Sequence, residues 1–247
     1  MLSYNGYFYY KDDRIECLRD PDNYFFVKDL RVGKFYKKSS LECNESEFKK
    51  VKISFWDYFS IFYALLAIIS VIYFFHQSLT STLFSSGILS FNDCLLALLI
   101  LFINVFLHEL SHALFLGMFG QKVNRIGFKM NFIFPCVYVD TSNAYLLPRL
   151  RRLFVFAAGV ETNFVFTCCF SLLFPGAFYL VLPVFWTALV SMLPIGAIRT
   201  DGYNIIFNVI FKQDEKKGRS SITFKVTRFV FIVLVTTLMF ISIFKVC

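Results

Sequence analysis

The sequence predicts an α-helical polytopic membrane protein of about five transmembrane helices, with a short membrane-associated β segment and a small N-terminal cytoplasmic region. Three observations carry that prediction. Several stretches of about twenty apolar residues recur along the 247-residue chain, the length that crosses a bilayer's hydrocarbon core. Lys and Arg are confined to alternate segments between those stretches. The first fifty residues are rich in charge and hold no apolar run of the signal-peptide kind, so the first span is expected to do the targeting itself.

Residues 1–52 form the predicted N-terminal region and 53–247 the predicted membrane domain. The N-terminal piece carries eleven Lys/Arg and nine Asp/Glu, a mixed rather than a basic charge. Tyr24–Val27 and Lys34–Tyr36 flank Gly33 and read as a β-hairpin. Ser39 and Glu42 have capping-box spacing for a short helix. Fifty residues are few for an independent core, so this piece reads either as a substrate-docking module or as a partly ordered extension.

The first span is read at about 55–75, with Trp56 and Tyr58 at its interfacial start. The loop 76–93 holds no Lys or Arg, and His76 there reads as a surface residue. The second span, 94–119, contains His108-Glu109-Leu110-Ser111-His112. A basic segment follows at 120–152, and inside it Asn131–Asp140 is aromatic and β-branched, too short for a helical span and read as one or two strands near the membrane surface. The third span, 153–174, contains Gly159, Glu161 and Asn163. Pro175-Gly176 reads as a tight turn. The fourth span is placed at 177–198 and the fifth at 229–244, where Arg228 and Lys245 can snorkel.

Counted by segment, Lys/Arg number eleven before the first span, none in 76–93, six in 120–152, none in 175–176, seven in 199–228 and one at Lys245. That alternation places the N-terminus, 120–152 and 199–228 in the cytoplasm and the C-terminus outside. The net charge of +8 is therefore assigned to cytoplasmic loops, and nucleic-acid binding is excluded. Seven cysteines without a Cys-x-x-Cys pair read as reduced core residues. High Phe, Ile and Lys content points to the cell membrane of a microbe with an AT-rich genome.

The orientation brings polar residues of three spans to one depth on the cytoplasmic side: His108 and His112, then Gly159 and Asn163, then Asp201. Two of the three histidines in the chain stand four apart, on one helix face, where both can bind one metal ion. Catalytic zinc commonly takes three protein ligands and leaves a position for water. Asp201, followed by the permissive Gly202, is the first candidate for the third ligand. Glu161 is its rival, though an unpaired charge at mid-helix costs roughly 2.5–3.5 kcal/mol on insertion scales. Zinc so held activates water, and Glu109 is placed to take the proton and return it to the leaving amine. Asn163 could stabilise the oxyanion or hold the substrate strand, and Ser111 reads as helix packing.

The sequence at this point resembles the site-2 protease family of intramembrane zinc metalloproteases. His108-Glu109-x-x-His112 lies in one span, Ala158-Gly159-x-x-x-Asn163 in the next after Arg151-Arg152, and Pro194 through Asp201-Gly202-Tyr203 ends the third. The resemblance covers about 94–205. It implies zinc on His108, His112 and Asp201, Glu109 as base, and cleavage of a membrane protein or peptide within the lipid bilayer. Ser191 replaces a common Asn before the proline, and the Pro194–Asp201 gap is longer than usual. Tyr138–Thr141 and Asp201–Tyr203 look like the branch associated with modified peptides or bacteriocins. The competing expectation is a non-catalytic membrane protein, an immunity factor or a peptide or ion transporter, that keeps a metal site. The oligomeric state is not readable.

Overall fold

A computed structural model describes residues 4–41, 45–80, 90–131, 134–193 and 200–210, with single helical stretches between 225 and 237. The first half of the N-terminal region is a meander. Strands β1 (Phe8–Lys11), β2 (Ile15–Arg19), β3 (Phe25–Asp29) and β4 (Phe35–Lys38) pair antiparallel in order, and β5 (Lys49–Lys50) returns beside β1. The expected hairpin is the β3–β4 pair, and Gly33 takes the positive φ of 69° that its turn requires. Within the Ser39–Glu42 helix cap, residue 42 lies outside the described residues, and the helical turn that follows is a 3-10 turn at Glu45–Glu47.

The sheet alone buries little: Cys17, Leu18, Phe26 and Val27 are its main inward side chains. It is held instead against the helical part. Gln121 donates to Glu16 Oε1 at 3.1 Å, and Lys28 donates to Asn124 and Asn143 at 2.8 and 2.7 Å. Arg151 forks onto both oxygens of Asp57 at 2.8 and 2.7 Å and onto the Lys52 carbonyl, and Tyr4 donates to the same Asp57 at 2.6 Å. The Arg152 guanidinium stacks 5.1 Å from the Phe26 ring centre. Burial and the Asp57 carboxylate push the Tyr4 phenol far above its ordinary range, so it donates at any physiological pH.

Among the described residues three helices are long and apolar enough to cross a membrane: α1 (Phe55–Thr80), α2 (Phe91–Met118) and α3 (Arg149–Leu173). They correspond to the first three expected spans, with shifted ends. Helix α2 starts at Phe91 because Ser90 and Asp93 form a capping box. Helix α3 starts at Arg149 and so includes Arg151 and Arg152, which the expected span left out as charges. Both are admitted because they are paired: Arg151 to Asp57, and Arg152 to the carbonyls of Ala144, Tyr145 and Leu147.

The expected fourth span is not one continuous helix. Pro175–Val181 is a 3-10 stretch with non-helical backbone at Ala177, and α4 (Leu182–Ser191) is only ten residues long. Proline is tolerated in the first helical turn and not in the interior, so Pro183 has to lie at the start of a helix, and α4 begins there. Residues 194–199, including Pro194, lie outside the described residues. Helix α5 (Asp201–Ile210) follows. The expected fifth span lies largely outside the described residues; those of 229–244 that are described are helical.

Between α2 and α3, β6 (Ile126–Asn131) and β7 (Phe134–Val139) form an antiparallel hairpin; β7 falls within the expected Asn131–Asp140 stretch, whereas β6 runs ahead of it, up to Asn131, in a part not read as a strand. The helices close on an aromatic core in which Phe74 stacks on Phe178 and Phe185 at 4.6 and 4.0 Å.

Candidate metal centre

His108 and His112 occupy successive turns of α2 and point at the same spot. Asp201 reaches that spot from the first turn of α5. Thr200 caps this turn: its Oγ1 accepts from the Tyr203 N–H at 3.3 Å, while its hydroxyl bonds the Leu193 carbonyl. Gly202 is what lets α5 come so close. A Cβ there would lie 1.8 Å from the Met192 carbonyl oxygen at the end of α4. Asp201 Oδ2 stands 3.0 Å from His108 Nε2, and Oδ1 stands 3.5 Å from His112 Nε2. The potential donor atoms of the three residues lie within 4.8 Å of one another.

The far side of each imidazole is fixed as a metal ligand requires. His112 Nδ1–H donates to the Val155 carbonyl at 2.7 Å, and His108 Nδ1 faces Asn163 Oδ1 at 3.2 Å. Both acceptors belong to α3, and with Nδ1 protonated, Nε2 keeps its lone pair for the cluster. Ser111 bonds back to the His108 carbonyl at 2.6 Å, in keeping with helix packing. Gly159 stands against the ligand atoms themselves: a Cβ there would sit 2.5 Å from Nε2 of both histidines. The space before the ligand atoms exists because α3 has no side chain at that point.

The three candidate ligands of the sequence analysis, His108, His112 and Asp201, come together. Glu161 does not join them; it sits on the α3 face turned to α1, lining a cavity with Ala64, Ala67 and Val71. Asn163, expected to meet substrate, is 2% exposed and makes its contact with His108. Glu109 lies beside the cluster on α2, and its Oε2 accepts from the Val139 N–H of β7 at 3.0 Å. Sequence reasoning missed this last contact, since it depends on the hairpin's register. Gly159 was noted for its depth; its steric role shows only once α2 and α3 are packed.

The model described as Peptidase family M50 matches residues 96–245, more than half of the chain. The chain belongs to peptidase family M50. This family holds the site-2 proteases, so the resemblance seen in α2, α3 and Asp201 is one of membership. "Putative peptide zinc metalloprotease protein YydH" of Bacillus subtilis (strain 168) is 29% identical over 162 residues, which cover 63% of this chain and 63% of that relative's length. No solved structure matches.

M50 peptidases are zinc metallopeptidases, and the residues present fit zinc. Two imidazole nitrogens and one carboxylate are a common catalytic donor set that leaves a position open. The two imidazoles are oriented from behind by Asn163 and Val155, and Gly159, lacking a side chain, leaves space beside their Nε2 atoms.

Proposed function

We propose that this M50 peptidase is an intramembrane zinc endopeptidase that cuts a peptide bond of a membrane-embedded or membrane-associated peptide. One observation carries the reading: His108, His112 and Asp201 converge beside Glu109, partway along a helix of membrane-crossing length. Ionisable groups at that depth are costly and are kept for function. The relative's printed name, a peptide zinc metalloprotease, supports a peptide as the substrate class.

In the mechanism His108, His112 and Asp201 would hold zinc, which when bound would supply Lewis-acid polarisation of a carbonyl and an acidified water. Glu109 takes the proton from the attacking water on its carboxylate and delivers it to the leaving amine. The Val139 N–H fixes one Glu109 oxygen and leaves the other for this transfer. Asn163 holds the His108 ring, and with it the direction of Nε2. Around this centre we place residues 1–52 as a cytoplasmic region and 53–247 as the membrane domain. The Lys/Arg alternation supports five spans with the N-terminus cytoplasmic and the C-terminus outside, in the cell membrane of a microbe.

The test compares wild-type protein with Glu109→Gln after reconstitution in bilayers. The substrates offered are apolar membrane-spanning peptides of about 20 residues, and products are read by mass spectrometry. Wild type carries stoichiometric zinc and yields a defined cut. Glu109→Gln keeps the zinc and loses the cut by about a hundred-fold or more. Cleavage that survives in Glu109→Gln, or a wild type that binds no zinc, refutes the proposal.

A further inference from the structure

Helix α3 presents two working faces. Gly159 and Asn163, one turn apart, face the histidines of α2. Ala157, Val160, Glu161 and Phe164 form the adjoining face and line a cavity of about 390 Å3 with residues of α1, α4 and α5. That volume falls in the roughly 300–1,000 Å3 range of ligand pockets. Among the described residues its walls are apolar except for the Glu161 carboxylate.

Glu161 is 9% exposed, and among the described residues its Oε2 is buried without a hydrogen-bond partner. Neighbouring Thr162 is bonded to Tyr63 at 3.0 Å, which ties α1 to α3 beside the cavity. The cavity is not sealed. Ile68 and Ile72 of α1 line it and are 56% and 64% exposed on the outer surface of the bundle, so its mouth opens sideways toward the membrane. Its lining residues neighbour the site in the chain: Val160 and Glu161 follow Gly159, and Ile205 follows Asp201 by one turn.

A buried carboxylate with no partner is costly, and the cost falls when a cation or strong donor pairs with it. The apolar walls reject a carboxylate or phosphate and accept an alkyl stem. A lysine side chain has both required parts, a long alkyl stem and an ammonium head.

Resting on the endopeptidase reading above, we infer that this cavity is a substrate subsite in which Glu161 selects a basic side chain, lysine first, of the membrane peptide. Glu161 thereby acts as a specificity residue distinct from the zinc ligands. The aliphatic stem lies along Ala67, Val71, Ala157 and Phe164, and the ammonium meets Oε2.

The experiment measures binding, so that it does not depend on cleavage. Full-length protein carrying Glu109→Gln is placed in phosphatidylcholine nanodiscs, whose lipid has no primary amine. The probes are fluorescent apolar helical peptides of about 20 residues, identical except for one central Lys, Gln or Glu. The Lys peptide binds about ten-fold tighter than the Gln peptide, and the Glu peptide binds weakest. Adding Glu161→Gln removes the Lys preference, and Glu161→Lys reverses it in favour of the Glu peptide. Ala157→Leu narrows the cavity, keeps the carboxylate, and weakens the Lys peptide alone; it serves if a Glu161 variant fails to fold. Equal affinity for the three peptides, or a Lys preference that survives in Glu161→Gln, overturns the subsite. Cleavage is scored separately with Glu109 intact. Charge discrimination without cleavage fails the endopeptidase reading alone, and cleavage without discrimination fails the subsite alone.

Discussion

Gly159→Ala adds a single methyl group, and its two effects have opposite signs. In a helix interior alanine is better than glycine by about 0.8–1.0 kcal/mol, so helix α3 itself gains. The new Cβ, however, would lie 2.5 Å from His108 Cε1 and Nε2 and 2.5 Å from His112 Nε2. These are ring atoms whose far sides are pinned to Asn163 and to the Val155 carbonyl, both on the same helix. The rings cannot retreat without breaking those bonds, so they swing and the Nε2 lone pairs turn away from Asp201. Losing the orienting partner of one metal ligand costs 10–100-fold in affinity. With both ligands displaced we expect the upper end, about 100-fold, or roughly 2.8 kcal/mol at 1.4 kcal/mol per decade. The assay is zinc competition against a chelator of known affinity, with metal counted by mass spectrometry and thermal unfolding of the metal-free protein run beside it. The expected result is weakened zinc and unchanged or raised metal-free stability. Zinc affinity within about two-fold of wild type would refute the steric role assigned to Gly159.

Three other substitutions test the surrounding structure. Gly202→Ala drives a Cβ into the Met192 carbonyl, which is backbone and cannot rotate aside, so Asp201 withdraws and zinc loading falls with no change at either histidine; full zinc occupancy in this variant argues against Asp201 as a ligand. Asn163→Ala frees the His108 ring and lowers zinc affinity by about 10–100-fold, while Asn163→Asp, which keeps an acceptor oxygen, restores most of it; chelator titration of the pair decides. Arg151→Ala leaves the fully buried Asp57 carboxylate without its guanidinium and destabilises the protein by about 3–5 kcal/mol, whereas the double change Arg151→Met with Asp57→Leu costs far less. Unfolding midpoints of the three proteins measure that difference, and equal losses would contradict it.

The convergence of His108, His112 and Asp201 was largely legible because these parts are chemically rare. Histidines four apart in an apolar run point to one face of one helix, and counting Lys and Arg brought Asp201 to the same depth without any contact being known. What the sequence does not display are relations between distant backbones. The Gln121–Glu16 bond spans 105 positions, and it joins two polar side chains that look like ordinary surface residues. The N-terminal sheet showed only its β3–β4 hairpin, where Gly33 marks the turn; no glycine stands between β1 and β2, and β5 is two residues long. Glu161 and Asp201 could not be separated by charge alone. They separate in space because one α3 face meets α2 and the adjoining face meets α1. The fourth span shows in the sequence only as an apolar run: its composition does not reveal the non-helical backbone at Ala177, and the start of α4 beside Pro183 is a matter of where a ring can sit in a helix.

The Val139 contact to Glu109 is made by main chain alone. Every residue type but proline carries the N–H it uses, so substitution at position 139 is nearly silent as long as the hairpin keeps its register. Selection acting here would therefore leave no preferred letter among relatives. What it would leave is a constant loop length between β6 and β7 and an absence of proline at one place. A search for the residues that matter would pass over this position, although the orientation of Glu109 depends on it.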